Sequence, residues 1–206
     1  LGASEDTPEL QDLQSEVNSI NLDEIARESD VLLELDLEGS RDVLEEFYQE
    51  ADEHLESIES ALLDLEQDPE DSDAIRSMFR SFHTIKGVAG FLDMTPIQIL
   101  AHEIETLMDF MRSGEIELCV DLTSLIFESR DRLVMLLQQV YEGLNGGRQP
   151  DKVIAVSDLI YEAKRAILGV RHVGLVAHAN EGSADVIRSE TDAPETMPSA
   201  GFQAAI

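Results

Sequence analysis

The sequence predicts an all-α protein: an antiparallel, up-and-down helical bundle with a four-helix core and a fifth helix. Three observations predict it. Apolar residues recur at helical spacing through residues 41–170. The periodic segments are separated by short breaks rich in Pro, Gly, Asn and Asp. No segment of strand period is long enough to matter, Ile116–Val120 being the nearest. Short connections make consecutive helices antiparallel neighbours.

The elements follow in order. Residues 1–40 form an acidic N-terminal extension, expected to be partly disordered or helical, with Thr7-Pro8-Glu9 reading as a short helix start. Gly39-Ser40 reads as a break. The first bundle helix runs from Arg41 to Glu66 on Val43, Leu44, Phe47, Tyr48, Ala51, Leu55, Ile58, Leu62 and Leu65, and stops at Gln67-Asp68-Pro69. Asp71 or Ser72 caps the second, which reaches about Leu92. Thr95-Pro96-Ile97-Gln98 has the order of a capping threonine, a first-turn proline and a glutamine at the third position. The third helix ends at Ser113-Gly114. A fourth runs from near Asp121 to Asn145-Gly146-Gly147, and a fifth from Pro150 to near Gly169. The bundle is thus assigned to residues 41–170. Residues 171–206, rich in Gly, Ala, Ser, Thr and Pro, read as a linker or disordered tail. Met78, Met94, Met108, Met111 and Met135 are expected as core filler.

Composition narrows the function. A net charge of -30 over 206 residues opposes binding to nucleic acid or an anionic membrane surface. No apolar stretch has the length of a membrane span, and no basic-then-apolar leader opens the sequence. The single cysteine, Cys119, fits a reducing cytoplasm. A start at Leu1 reads as a piece of something longer or a processed product. The acids are uneven: residues 41–113 hold eighteen acids and five bases. Three of those bases, Arg76, Arg80 and Lys86, fall on the second bundle helix.

On that helix His83 organises a face. With about 100° per residue and His83 at zero, Arg76 lies at about +20°, Gly87 at about +40°, Arg80 at about +60°, Gly90 at about -20° and Lys86 at about -60°. The apolar set Met78, Phe82, Ile85, Val88, Ala89 and Leu92 is on the far side. The imidazole therefore points out of the bundle, in a basic stripe on an acidic chain. Glycine inside a helix costs about 1 kcal/mol relative to alanine. Gly87 and Gly90 beside His83 therefore imply room for a large partner. A neutral imidazole, with its ordinary pKa near about 6.5, is a competent nucleophile at pH 7. Lys86, one turn on, is placed to neutralise a phosphoryl group, and Arg76 and Arg80 to assist docking.

The third bundle helix supplies a partner. His102 and Glu105 lie about 60° apart on one side of it. Glu105 is the candidate acceptor for the Nδ1 proton of His83, which would leave Nε2 as the nucleophile. Glu103, about 160° from Glu105, is expected to be solvated. A carboxylate-bridged di-metal bundle needs Glu-x-x-His on two helices, and no histidine here has an acid three residues before it. No metal site is expected. An adaptor bundle gives no reason for Gly87 and Gly90.

These residues carry a resemblance. Phe82-His83-Thr84-Ile85-Lys86-Gly87-Val88-Ala89-Gly90-Phe91 resembles the phosphoacceptor helix of histidine phosphotransfer domains. It is more similar to the amino-terminal phosphoacceptor domain of CheA-type chemotaxis kinases. Leu100-Ala101-His102-Glu103-Ile104-Glu105 resembles the next helix of that domain, and Arg112-Ser113-Gly114-Glu115 its closing turn. The resemblance implies that His83 takes a phosphoryl group from ATP through a separate histidine kinase catalytic domain. It then passes that group to an aspartate of a response regulator receiver domain. Lys86, His102 and Glu105 would form the supporting network. The chain itself would bind no cofactor and would be a carrier rather than an enzyme, a phosphorelay domain outside chemotaxis being the near alternative.

Overall fold

The computed structural model describes residues 20–169. The Thr7-Pro8-Glu9 start, the 171–206 tail, His172 and His178 lie outside the described residues. Within them the protein is all helical: α1 Leu22–Ser29, α2 Arg41–Gln67, α3 Ser72–Phe91, α4 Thr95–Arg112, α5 Val120–Gly146, and α6 at 157–169.

Helices α2 to α5 close a ring in which each packs on the next and α5 returns to α2. The α3–α4 pair is the most extensively packed. The core is filled by the predicted apolar positions: Phe47, Leu55, Ile58 and Leu62 from α2, Met78, Phe82 and Ile85 from α3, and Leu100, Ile104 and Met108 from α4. Each of these side chains would contribute about 1.5–3 kcal/mol on full burial. Met135 departs from expectation: it is half exposed on α5. Val43 is also partly exposed.

Local chemistry sets the ends. Asp71 caps α3, its carboxylate accepting from the N–H groups of Asp73 and Ala74 at 2.9 and 3.1 Å. The start of α4 differs from the expected capping box. Met94 is the N-cap, Thr95 lies inside the helix, and no side-chain cap bond forms. Pro96 still sits in the first turn, where its missing N–H costs nothing. Gly114 and Gly147 close α4 and α5 at φ 78° and 61°, a left-handed conformation that glycine adopts without steric penalty.

The acidic segment before Arg41 contributes to the core. Asn21 caps α1 through a 3.0 Å bond from the Asp23 N–H, and α1 packs on α4. An extended strap follows, burying Leu33 and Leu35. The Leu35 backbone N–H donates to Gln149 Oε1 at 2.9 Å, and Gln149 Nε2 donates back to the Leu35 carbonyl. A Cβ on Gly143 would lie 2.5 Å from Leu35 Cδ1, so a glycine on α5 is what lets the strap seat.

Helix α6 starts later than expected, at 157 rather than just after Pro150. Its first turn is capped from a distance. Asp30 Oδ1 accepts from the N–H groups of Val156 and Ser157 at 2.7 and 2.9 Å, and Ser157 Oγ donates to Oδ2 at 2.7 Å. A carboxylate there also complements the helix dipole. Arg132 on α5 pairs with Asp158 at 3.1 Å.

Candidate functional site

The antiparallel α3–α4 contact brings His83 and Glu105 face to face. Apolar faces of both helices turn into the core and leave this pair at the edge of the seam. His83 Nδ1 lies 2.8 Å from Glu105 Oε1, and Lys86 Nζ lies 2.6 Å from Oε2. The side chain of His83 is 62% exposed and that of Glu105 only 11%. The carboxylate is therefore the buried fixed point, and the imidazole the group presented to solvent. Oε2 has no protein hydrogen bond of good angle; the Lys86 ammonium satisfies it as a close charge. Burial pushes the Glu105 carboxyl up, but the hydrogen bonds and charges of Lys86 and then His83 outweigh it, holding the group below the ordinary 4.5.

An ionised Glu105 has one consequence for the ring. A carboxylate only accepts, so Nδ1 must carry the proton and donate. In the neutral ring Nε2 then holds the in-plane lone pair.

The remaining sequence candidates divide. His102 is not brought into the cluster: its side chain is exposed and takes part in no hydrogen bond or ion pair among the described residues. Arg76 pairs with Asp73 at 2.8 Å. Arg80 is exposed and has no ion-pair partner among the described residues. Gly87 is open: a Cβ there would meet nothing within 4 Å. Gly90 is not: its Cβ would lie 2.8 Å from the Gln98 side-chain nitrogen. A side chain at Gly90 would press on the end of the exposed Gln98 side chain of α4. Glu103, expected in solvent, is buried and pairs with Lys164 of α6 at 2.6 Å. Its angle on α4 was as expected, but α6 covers that side.

Two site residues escaped the sequence reading. Phe79 lies one turn before His83, with ring centroids 6.1 Å apart and planes 17° from parallel. The Arg112 guanidinium lies 4.6 Å from the Phe79 centroid. Phe79 stands at about -40° on the helical angle, inside the His83 stripe. That angle was the available signal.

Residues 42–144, half of the chain, match the Hpt domain family, and the chain belongs to it. Within that family it is similar to chemotaxis proteins. It is 34% identical over 116 residues to the chemotaxis protein CheA of Bacillus subtilis, covering 56% of this chain and 17% of that protein. It is 39% identical over 99 residues to CheA of Halobacterium salinarum, covering 48% and 15%. The chain thus spans less than a fifth of these relatives' length. The solution structure of the histidine phosphotransfer domain of CheA aligns with a TM-score of 0.50 at 30% identity, over 59% of this chain and 87% of that one.

Proposed function

We propose that the chain is a chemotaxis-type phosphocarrier and that His83 is its phosphoacceptor. The observation that carries the reading is the exposed His83 imidazole, whose Nδ1 is held by a buried, ionised Glu105 that Lys86 neutralises. Nε2 attacks the γ-phosphorus of ATP held by a separate histidine kinase catalytic domain. An N–P bond forms, the bond from phosphorus to the bridging oxygen breaks, and ADP leaves. The Nδ1 proton stays on the ring, where Glu105 stabilises the positive charge that the new bond brings. A receiver-domain aspartate oxygen then attacks phosphorus, and the N–P electron pair returns to Nε2.

In this reading Lys86 screens the phosphoryl charge, Gly87 gives the partner clearance, and Arg76 and Arg80 contribute to docking. His102, exposed in the unphosphorylated chain, lies outside the Nδ1 contact. The chain binds no cofactor of its own; ATP is the phosphoryl source through the kinase domain. The setting is cytoplasmic, in keeping with the absence among the described residues of any helix long and apolar enough to cross a membrane. The test is incubation with labelled ATP and a CheA-type kinase core. Acid-labile, base-stable label that is absent from His83→Gln is the expected result. Unchanged labelling of that variant overturns the assignment.

A further inference from the structure

Glu105 holds one edge of the imidazole at Nδ1. That single bond limits twist about χ2, a broad and soft torsion for histidine, but packs against neither face of the ring. The His83 side chain is 62% exposed, so core packing does not hold it. Yet the plane decides the chemistry, because the Nε2 lone pair lies in it and must point at phosphorus for attack.

We infer that Phe79 is a positioning residue that acts with Glu105 to set the plane of the His83 ring, with Arg112 holding Phe79 in place. Phe79 lies near-parallel to the imidazole at 6.1 Å, within the range of offset stacking. It is partly buried and packs against the hydrophobic core, so it is a firmer surface than the ring it faces. Arg112 reaches across from the end of α4 to lie 4.6 Å from the Phe79 centroid. Asp109, one turn back, holds that guanidinium at 2.6 Å. Residues from both helices of the seam thus act on the imidazole: Glu105 through the bond at Nδ1 and Phe79 through a near-parallel ring. The inference rests on the reading of His83 as the nucleophile.

The test uses Phe79→Leu, Phe79→Tyr and Arg112→Gln in the full chain. Two donors are compared: ATP with a CheA-type kinase core, and potassium phosphoramidate, which has no protein surface. With either donor Nε2 gains phosphorus; with the second, ammonia leaves. Loss of the stack in Phe79→Leu is expected to slow phosphorylation from both donors by about two- to tenfold. KM for the kinase core should stay unchanged, and Phe79→Tyr should restore the rate. Arg112→Gln should act in the same direction by about twofold. Wild-type rates for Phe79→Leu with phosphoramidate overturn the proposal. So does an equal loss in Phe79→Tyr, or an effect confined to KM for the kinase core, which would make Phe79 a docking residue. If the wild-type chain takes phosphate from neither donor, the phosphocarrier reading fails instead. The His83 ring-proton shifts then decide the positioning separately: a ring-current displacement lost in Phe79→Leu supports it, and identical shifts overturn it.

Discussion

Replacing Glu105 by glutamine removes one charge and almost no volume. The amide oxygen can still accept from His83 Nδ1, 2.8 Å away, but its NH2 then faces Lys86 Nζ, now 2.6 Å from Oε2, donor against donor. The opposite orientation relieves Lys86 and turns NH2 on Nδ1. That selects the tautomer with the proton on Nε2 and removes the nucleophile. A hydrogen bond to a charged group contributes about 1.5–3 kcal/mol and a neutral one about 0.5–1.5 kcal/mol. Losing the difference alone, about 1–1.5 kcal/mol, slows attack roughly tenfold, and the inactive orientation adds to that. Stability should fall by only about 1 kcal/mol, because Lys86, with 26% of its side chain exposed, can turn to water. The assay pairs initial labelling rates with urea unfolding and the 15N spectrum of the imidazole. A labelling rate within about twofold of wild type in a folded variant would refute the reasoning. So would failure to fold, since a loss of about 1 kcal/mol lies well inside ordinary stability. The pH dependence has a definite sign. Because the folded carboxyl titrates below 4.5, its stabilisation is complete above that pH and is lost as pH falls through the lower folded value. The stability gap between wild type and Glu105→Gln should therefore close on acidification below pH 4.5.

Two further outcomes follow from the α6 cap and from the helical glycines. Asp30→Ala removes three bonds from the start of α6 and should cost about 1–2 kcal/mol in urea unfolding. Amide exchange should speed up in 157–169 while His83 phosphorylation keeps its rate; unchanged exchange would show that α6 does not depend on this cap. The two helical glycines should behave oppositely. Gly87→Ala meets nothing in the chain and should raise stability by up to about 1 kcal/mol while slowing transfer with protein partners. Gly90→Ala must displace Gln98 and should gain less, with Gly90→Ala/Gln98→Ala recovering the difference; equal gains from both single variants would contradict this.

Helices α2 to α5 are legible because each writes its apolar face into its own sequence, and a local period needs no knowledge of neighbours. The same angles put His83 outward and set Glu105 on one side of α4. They do not say which element covers a given side. Glu103 was placed correctly on α4, yet it is buried, because α6 lies over it and supplies Lys164. Gly90 faces the end of the Gln98 side chain on the neighbouring helix, a contact that its own helical angle does not disclose. The start of α6 is set by Asp30, 126 residues earlier than Val156, through bonds no local pattern encodes. α1 has only eight residues, too few to be stable alone, so its existence rests on packing against α4. Phe79 was different: it stands in the His83 stripe, where its angle was readable. An aromatic residue on a polar face can pack on the core and stack on an exposed ring at once. The features hidden from the sequence are therefore the pairings between elements, and Glu105 with His83 was recoverable only because a short connection forces α3 and α4 to be neighbours.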